Sequence, residues 1–479
     1  MSMMNRRALT LIAGLGSLLL GACSGVGDGN SLKSLAIASS TDTTVTYDSL
    51  KLGSVSGVTS YQCISSNLTL YGVFSKNNSV GSFTDRATWT SADPSIVKVS
   101  NGDIAVPGVD GSFYVRGTLI PVGPGSTTVT ANYLDLSTST TVNVAAPTEI
   151  TMEPHDPRLA VNTVQAFRIT AKLDGILQDI TAATIPTVAF SPVDDTVAKA
   201  ELSGSVPFVT ALAVAGPLTL NVTLPICNTV LSTTVRVAAI PAGGLVLQHE
   251  EGFGGELVVA SNEALKTLVD FGDGPEQDVT TQSSYAVDTT DTSATTRISS
   301  TANFVTALLA GSEATVAAKC CQRDLNADGD FLDAGEASTA TSNAIGITPV
   351  AGTLTAFAVS PDNGSGEQYT NQQFTVTGTF DGGARTQPIT RFVTWSVTDP
   401  STATATTAAT TSPLFAIASG SLSLNAGLGV STLPPTGAKL TEPKPLTVTS
   451  TLSSSLQPST ALAPVVTTFT LTPLAAPAP

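Results

Sequence analysis

The pattern Thr-Trp-x-x-x-Asp-Pro-Ser occurs twice, in ATWTSADPS around Trp89 and in VTWSVTDPS around Trp395, and these hold the only two tryptophans of a 479-residue chain. A chain that repeats itself in this way is a row of similar units, so its fold follows from the unit. A third copy lies between them in VAFSPVDDTVAKAE. Phe190 takes the tryptophan position and Asp194 the aspartate position. Ala198 and Ala200 stand where Val97 and Val99 stand in the first copy, and Ala403 and Ala405 in the last. A strand, a tight turn and a second strand account for the spacing, because Asp caps such a turn and Pro presets its φ.

Two further markers flank this unit. Upstream, LDGILQDIT ends at Thr181, GDGPEQDVT at Thr280 and DGGARTQPIT at Thr390. Asp-Gly predicts a two-residue hairpin between strands, since glycine accepts the positive φ that such a turn needs. Downstream, FVTALAVAG from Phe208 and FVTALLAG from Phe304 each precede an alternating strand, and GPGSTTVTANY from Gly123 is the first unit's version. Thr, Ser, Ala and Val dominate while charged residues are 12% and aromatics 5% of the chain, a composition for half-buried strands rather than charged helix faces.

These markers resemble the bacterial Ig-like domains of invasin- and intimin-type adhesins, with their DG-x-x-x-D-V-T, V-T-W-x-S-x-x-P-S-x-A-x-V and G-x-A-x-I-T-A signatures. The resemblance covers most of residues 32–472 and is strongest in the first and last units. In the third unit Tyr285 replaces the tryptophan and the Asp-Thr-Ser turn comes two residues late, and VDFGDG at Val269–Gly274 is also similar to polycystic-kidney-disease-type sandwiches. The first unit lacks the DG marker. The resemblance implies an all-β chain of tandem Ig-like antiparallel β-sandwiches, as do short strands with turn signals every 8 to 12 residues. Four domains are expected, at 32–147, 148–239, 240–348 and 349–472, with 473–479 as a Pro-rich tail. Their aromatic anchors are expected in the cores.

At the N-terminus Arg6 and Arg7 precede an uncharged stretch from Ala8 to Ala22. That length fits a signal peptide, residues 1–22, and falls short of the roughly 20 apolar residues of a spanning helix. Leu20, Gly21, Ala22 and Cys23 resemble the lipobox of bacterial lipoproteins. The resemblance implies that the Cys23 thiol is acylated and anchors the chain in a membrane, and residues 23–31 then read as a flexible tether. Ser24 in place of Asp implies an outer-membrane destination in a Gram-negative cell. Removing residues 1–22 takes two arginines from 21 Lys+Arg, leaving 19 against 37 Asp+Glu and a formal charge of −18. Such a surface repels nucleic acid and attracts cations.

One local motif is sharp: DLNADGDFLDAGE, Asp324 to Glu336. Asp324, Asn326 and Asp328 alternate ahead of Gly329, so that three oxygens converge at a bend where the Asp330 carbonyl adds a fourth. An EF-hand would need Glu at loop position 12, which is Gly335. Asp333 and Glu336 instead match the D-x-G-E ending of calcium loops in bacterial surface repeats. A calcium ion bound by these six residues and a merely solvated acidic turn are both open readings. Cys63, Cys227, Cys320 and Cys321 complete the exported cysteines, and an oxidising compartment favours disulfides. Four cysteines allow three pairings, one of them including a vicinal bridge. A zinc site is disfavoured because no C-x-x-C pair or nearby histidine accompanies them.

Catalysis has little to work with. His155 in EPHDP and His249 in LQHEEG are the only histidines and are expected in exposed turns, and neither has a nucleophile context. No GK[ST] phosphate loop occurs. The expected protein is therefore non-catalytic, a lipid-anchored structural or adhesive surface protein with an extracellular protein or glycan as partner. The alternative is a carbohydrate-binding or enzyme-accessory lipoprotein, whose exposed aromatics would stack on sugars.

Overall fold

The computed structural model describes residues 31–39, 57–75, 80–107, 111–250, 255–288, 290–321, 340–361, 363–367, 371–399, 404–407, 415–418, 421–424, 442–453 and 461–473. Within them the chain forms consecutive two-sheet sandwiches of antiparallel strands, and the first shows the plan. One sheet runs in the order Leu32–Ser39, Ser66–Phe74, Thr118–Pro121, Val97–Val99, and the other Val58–Tyr61, Leu136–Ala145, Gly125–Tyr133, Thr88–Ser91. The third sandwich repeats both orders. In the second and fourth the long second strand is interrupted at Phe167 and at Phe374, each buried, so that the first sheet divides into two three-stranded pieces.

Each sandwich also contains a parallel pair. After its opening strand the chain crosses to the other sheet, where a short strand runs alongside the domain's last one: Val58–Tyr61 beside Leu136–Ala145, Arg158–Ala160 beside Thr229–Ala238, Glu256–Val258 beside Ala340–Val350, and Ser365–Glu367 beside Val465–Thr472. The third domain's last strand thus runs to Val350, past the 348 expected from sequence.

The sequence markers acquire physical roles. The threonine that ends each Asp-Gly marker turns its hydroxyl back onto the second strand and accepts a backbone N–H: Ile169 to Thr181 at 2.7 Å, Thr267 to Thr280 at 3.0 Å and Val376 to Thr390 at 2.8 Å. Thr84 does the same for Leu70 at 2.9 Å, so the first domain has the turn without the Asp-Gly. Five residues on in the first, third and fourth domains, and nine in the second, where the short helix Thr181–Thr184 intervenes, the aromatic anchor enters the core. Trp89 donates Nε1–H to the Thr84 carbonyl at 3.2 Å, and Tyr285 donates its hydroxyl to the Thr280 carbonyl at 3.1 Å, so Tyr285 replaces a tryptophan in bonding as well as in position. Phe190 and Trp395 are buried at the same place, and Trp395 packs with Phe374, which stacks edge-on to Phe469. The aspartate turns that follow are capped as expected: Asp93 accepts from the N–H and hydroxyl of Ser95, and Asp194 from those of Thr196.

The Asp-Gly expectation holds in one domain of three. Asp174 and Gly175 form a two-residue turn between Leu173 and Ile176, both with positive φ. In the third domain pairing resumes only at Val269 and Gln277, and in the fourth at Phe380 and Arg385, so there Asp-Gly belongs to a longer loop. Pro275 in one and Gly383 in the other lengthen the connection, and a proline next to the glycine cannot donate the N–H that closes a tight hairpin.

Candidate functional site

Cys23 and the loop residues Asp324, Asn326, Asp328, Asp330, Asp333 and Glu336 lie outside the described residues. The strands on either side of the loop are described: Ala314–Cys320 pairs antiparallel with Ala340–Val350, with Cys320 opposite Ala340. The acidic segment is therefore carried between the last two strands of the third sandwich.

The cysteines are paired as Cys63 with Cys227 and Cys320 with Cys321. The first bridge joins two domains, since Cys63 follows the short parallel strand of the first sandwich and Cys227 sits between the last two strands of the second. The vicinal pair is fully buried in a small cluster with Ala160 of the second domain and Leu245, Val269 and Val279 of the third.

The histidines differ. His155 is exposed and lies 3.1 Å from Asp156, as an exposed turn residue should. His249 departs from expectation. It closes the strand Leu245–His249, its side chain is 22% exposed, and its Nδ1 lies 2.5 Å from Oε1 of the buried Glu263. Its strand brings it beside a carboxylate that faces the interior, and burial holds the imidazole below its ordinary pKa. Among the described residues no group of three or more His, Cys, Asp or Glu is placed to hold a metal ion, and no helix is long and apolar enough to cross a membrane.

What the fold does bring together is one domain's end and the next domain's beginning. At the first junction Tyr61, Cys63 and Ile64 share a hydrophobic cluster with Leu173, Ile180 and Phe190 of the second domain, and the Tyr61 hydroxyl donates to Asp174 at 2.6 Å. Tyr114 and Ile120 meet Ile226 in a second patch. At the second junction the Gln277 carbonyl accepts the Ala160 N–H at 2.8 Å, and its amide donates to the Thr163 hydroxyl at 2.9 Å. Gln282 bonds both backbone groups of Val164. Arg158 pairs with Asp273 and lies over the Phe271 ring at 5.5 Å. At the third junction Gln387 accepts from the Val258 N–H at 3.1 Å and donates to the Ser261 hydroxyl at 2.7 Å. Arg385 pairs with Glu256 at 2.9 Å, Arg391 with Glu250 at 3.3 Å, and Arg391 lies 4.6 Å above the Phe304 ring. Glu256 raises the Arg385 pKa further, chiefly through that hydrogen bond.

Sequence reasoning missed these glutamines. Their signal was in plain view, since each Asp-Gly marker ends in Gln-x-Ile-Thr or Gln-x-Val-Thr, but an isolated polar residue on a strand reads as solvent-facing.

No family model matches the chain. It is 26% identical over 437 residues to "Ice-binding protein 1" of Shewanella frigidimarina (strain NCIMB 400), an alignment that covers 78% of this chain and 46% of that protein. The chain thus spans under half the length of the curated relative it matches. Among solved structures it is similar to domains 4–9 of the surface layer protein SbsC, at 16% identity over 91% of this chain and 66% of that one, with a TM-score of 0.21. Drosophila N-cadherin EC1-4 is similar at 10% identity over 81% and 92% of the two chains, with a TM-score of 0.18. Neither likeness bears on what this chain binds.

Proposed function

We propose that the chain is a non-catalytic, lipid-anchored envelope protein of the bacterial surface, in which consecutive sandwiches hold a structural or adhesive face away from the membrane. The observation that supports it most directly is that consecutive domains are joined by specific bonds, through the Cys63–Cys227 bridge and the buried Gln277 and Gln387 bonds. A spacer needs such joints, because unconnected domains reorient freely about their linkers. Cys23 is the anchor in this account. Cys23→Ser is expected to release the exported protein from the membrane fraction or to leave it unprocessed, and correct processing with unchanged fractionation would refute the anchor. The carbohydrate-binding alternative has less support, since Phe113, 54% exposed, is the one aromatic among the exposed large hydrophobic residues described. Saturable binding of the exported chain to a defined polysaccharide would favour that alternative instead.

A further inference from the structure

We propose that the glutamine of the Gln-x-Ile/Val-Thr turn is a repeated lock between consecutive domains, and that at the first junction the Cys63–Cys227 disulfide stands in for it.

The three glutamines occupy one register. Gln178 lies opposite Ala171, Gln277 opposite Val269 and Gln387 opposite Gly378, each on the short strand that follows and pairs with the second strand and each three residues before the capping threonine. The turn that receives them is also one structure. Asn162, Ala260 and Cys63 all sit in the left-handed region, at φ of 67°, 71° and 73°, and the next residue in each case donates its N–H to the carbonyl three residues back: Thr163 to Ala160, Ser261 to Val258, Ile64 to Tyr61.

In the second and third junctions this produces a closed ring of buried hydrogen bonds. The Thr163 hydroxyl donates to the Ala160 carbonyl at 2.6 Å, so its oxygen is left as an acceptor for the Gln277 amide, whose carbonyl takes the Ala160 N–H. Ser261, Val258 and Gln387 repeat the ring, with the hydroxyl donating at 2.6 Å. Each member satisfies a group of the next, and such rings strengthen cooperatively in a dry interface. Breaking one member exposes the others as buried groups without partners, which makes the ring sensitive to domain separation.

At the first junction the position of Thr163 and Ser261 is Ile64, which has no hydroxyl. Gln178 is accordingly buried at 3% exposure with neither its oxygen nor its nitrogen hydrogen-bonded. The covalent bond is found there and at neither of the others: Cys63 occupies the left-handed position held elsewhere by Asn162 and Ala260, and reaches Cys227. The first sandwich, with no described domain before it, carries Gly81 at the glutamine's register, opposite Gly72.

The test is amide hydrogen exchange of the exported chain, read on peptides spanning 58–64, 158–164 and 256–262. Gln277→Leu is expected to speed exchange in 158–164 at least tenfold and Gln387→Leu to do so in 256–262, each leaving the other junctions unchanged, while Gln178→Leu leaves 58–64 as protected as before. Cys63→Asn with Cys227→Ser is expected to deprotect 58–64, and adding Ile64→Thr, which supplies the missing hydroxyl for Gln178, to restore protection. Variants rather than a reductant are used because a thiol would also open the Cys320–Cys321 pair. Unchanged exchange in Gln277→Leu and Gln387→Leu would overturn the lock. Deprotection by Gln178→Leu, or no recovery with Ile64→Thr, would overturn the equivalence of disulfide and glutamine.

Discussion

At the scale of single residues, one threonine and one aromatic repeat through every sandwich, and they act together. The threonine hydroxyl ties the turn to the second strand, and the aromatic, five residues later or nine in the second sandwich, packs in or against the core. Because Trp395 packs on Phe374 and is 5% exposed, Trp395→Ala should destabilise the fourth sandwich by roughly 3–5 kcal/mol, the usual penalty for emptying a large aromatic site. Chemical denaturation of the chain, followed through the loss of its β-sheet circular dichroism, measures this. In the third sandwich Arg297, Ser293 and its own turn hold the Asp291 carboxyl at a pKa of about 2, well below 3.8. A carboxylate whose pKa falls on folding stabilises the fold above its unfolded value and loses that contribution as pH falls through its folded value. Melting temperature should therefore decline between about pH 4 and pH 2, and Asp291→Asn should flatten that decline while lowering the melting temperature at neutral pH. An unchanged acid limb in the variant would contradict the assignment. These residues were legible from the sequence because they recur. Gln277 and Gln387 were not, since their partners lie in another domain and no local pattern announces a polar group that is buried only by a neighbour.

At the scale of elements, strands and turns follow the alternation of the sequence closely, as in Gly125–Tyr133 and Leu136–Ala145, where buried Val129, Ala131, Val142 and Val144 alternate with Thr and Asn. The hairpin at the Asp-Gly markers was legible only in part, because turn length depends on the residues after the glycine as much as on the pair itself. His249 was misread for a related reason: an LQHEEG stretch looks like loop, yet the strand register carries His249 against Glu263. The element with the clearest proposed chemistry is the connection between the last two strands of the third sandwich. There Asp324, Asn326, Asp328, Asp330, Asp333 and Glu336 are proposed to bind calcium. Calcium at 100 times its Kd should then stabilise the chain by about 2.7 kcal/mol through mass action. Thermal unfolding with calcium and with chelator reads this, and Asp324→Ala combined with Asp328→Ala should abolish the difference. Identical melting of the wild type in both conditions would leave only a solvated acidic turn.

At the scale of the whole molecule, the sandwiches share a plan and the second and third junctions share a glutamine ring, but the charges across those two junctions differ. The second places a cation, Arg158, on the earlier domain and the carboxylate of Asp273 on the later, and the third reverses the signs with Glu256 and Arg385 at the same strand position. Neighbours are thus matched in order, and a domain moved to another place in the row would meet like charge. The crossing strand of each sandwich has a mechanical consequence. Since it runs parallel to the domain's last strand, tension applied through the chain's two directions pulls the pair past each other lengthwise, loading its hydrogen bonds simultaneously instead of opening them one after another. A chain tethered at one end and tugged at the other would resist as a row of shear joints, each giving way only when its whole ladder fails.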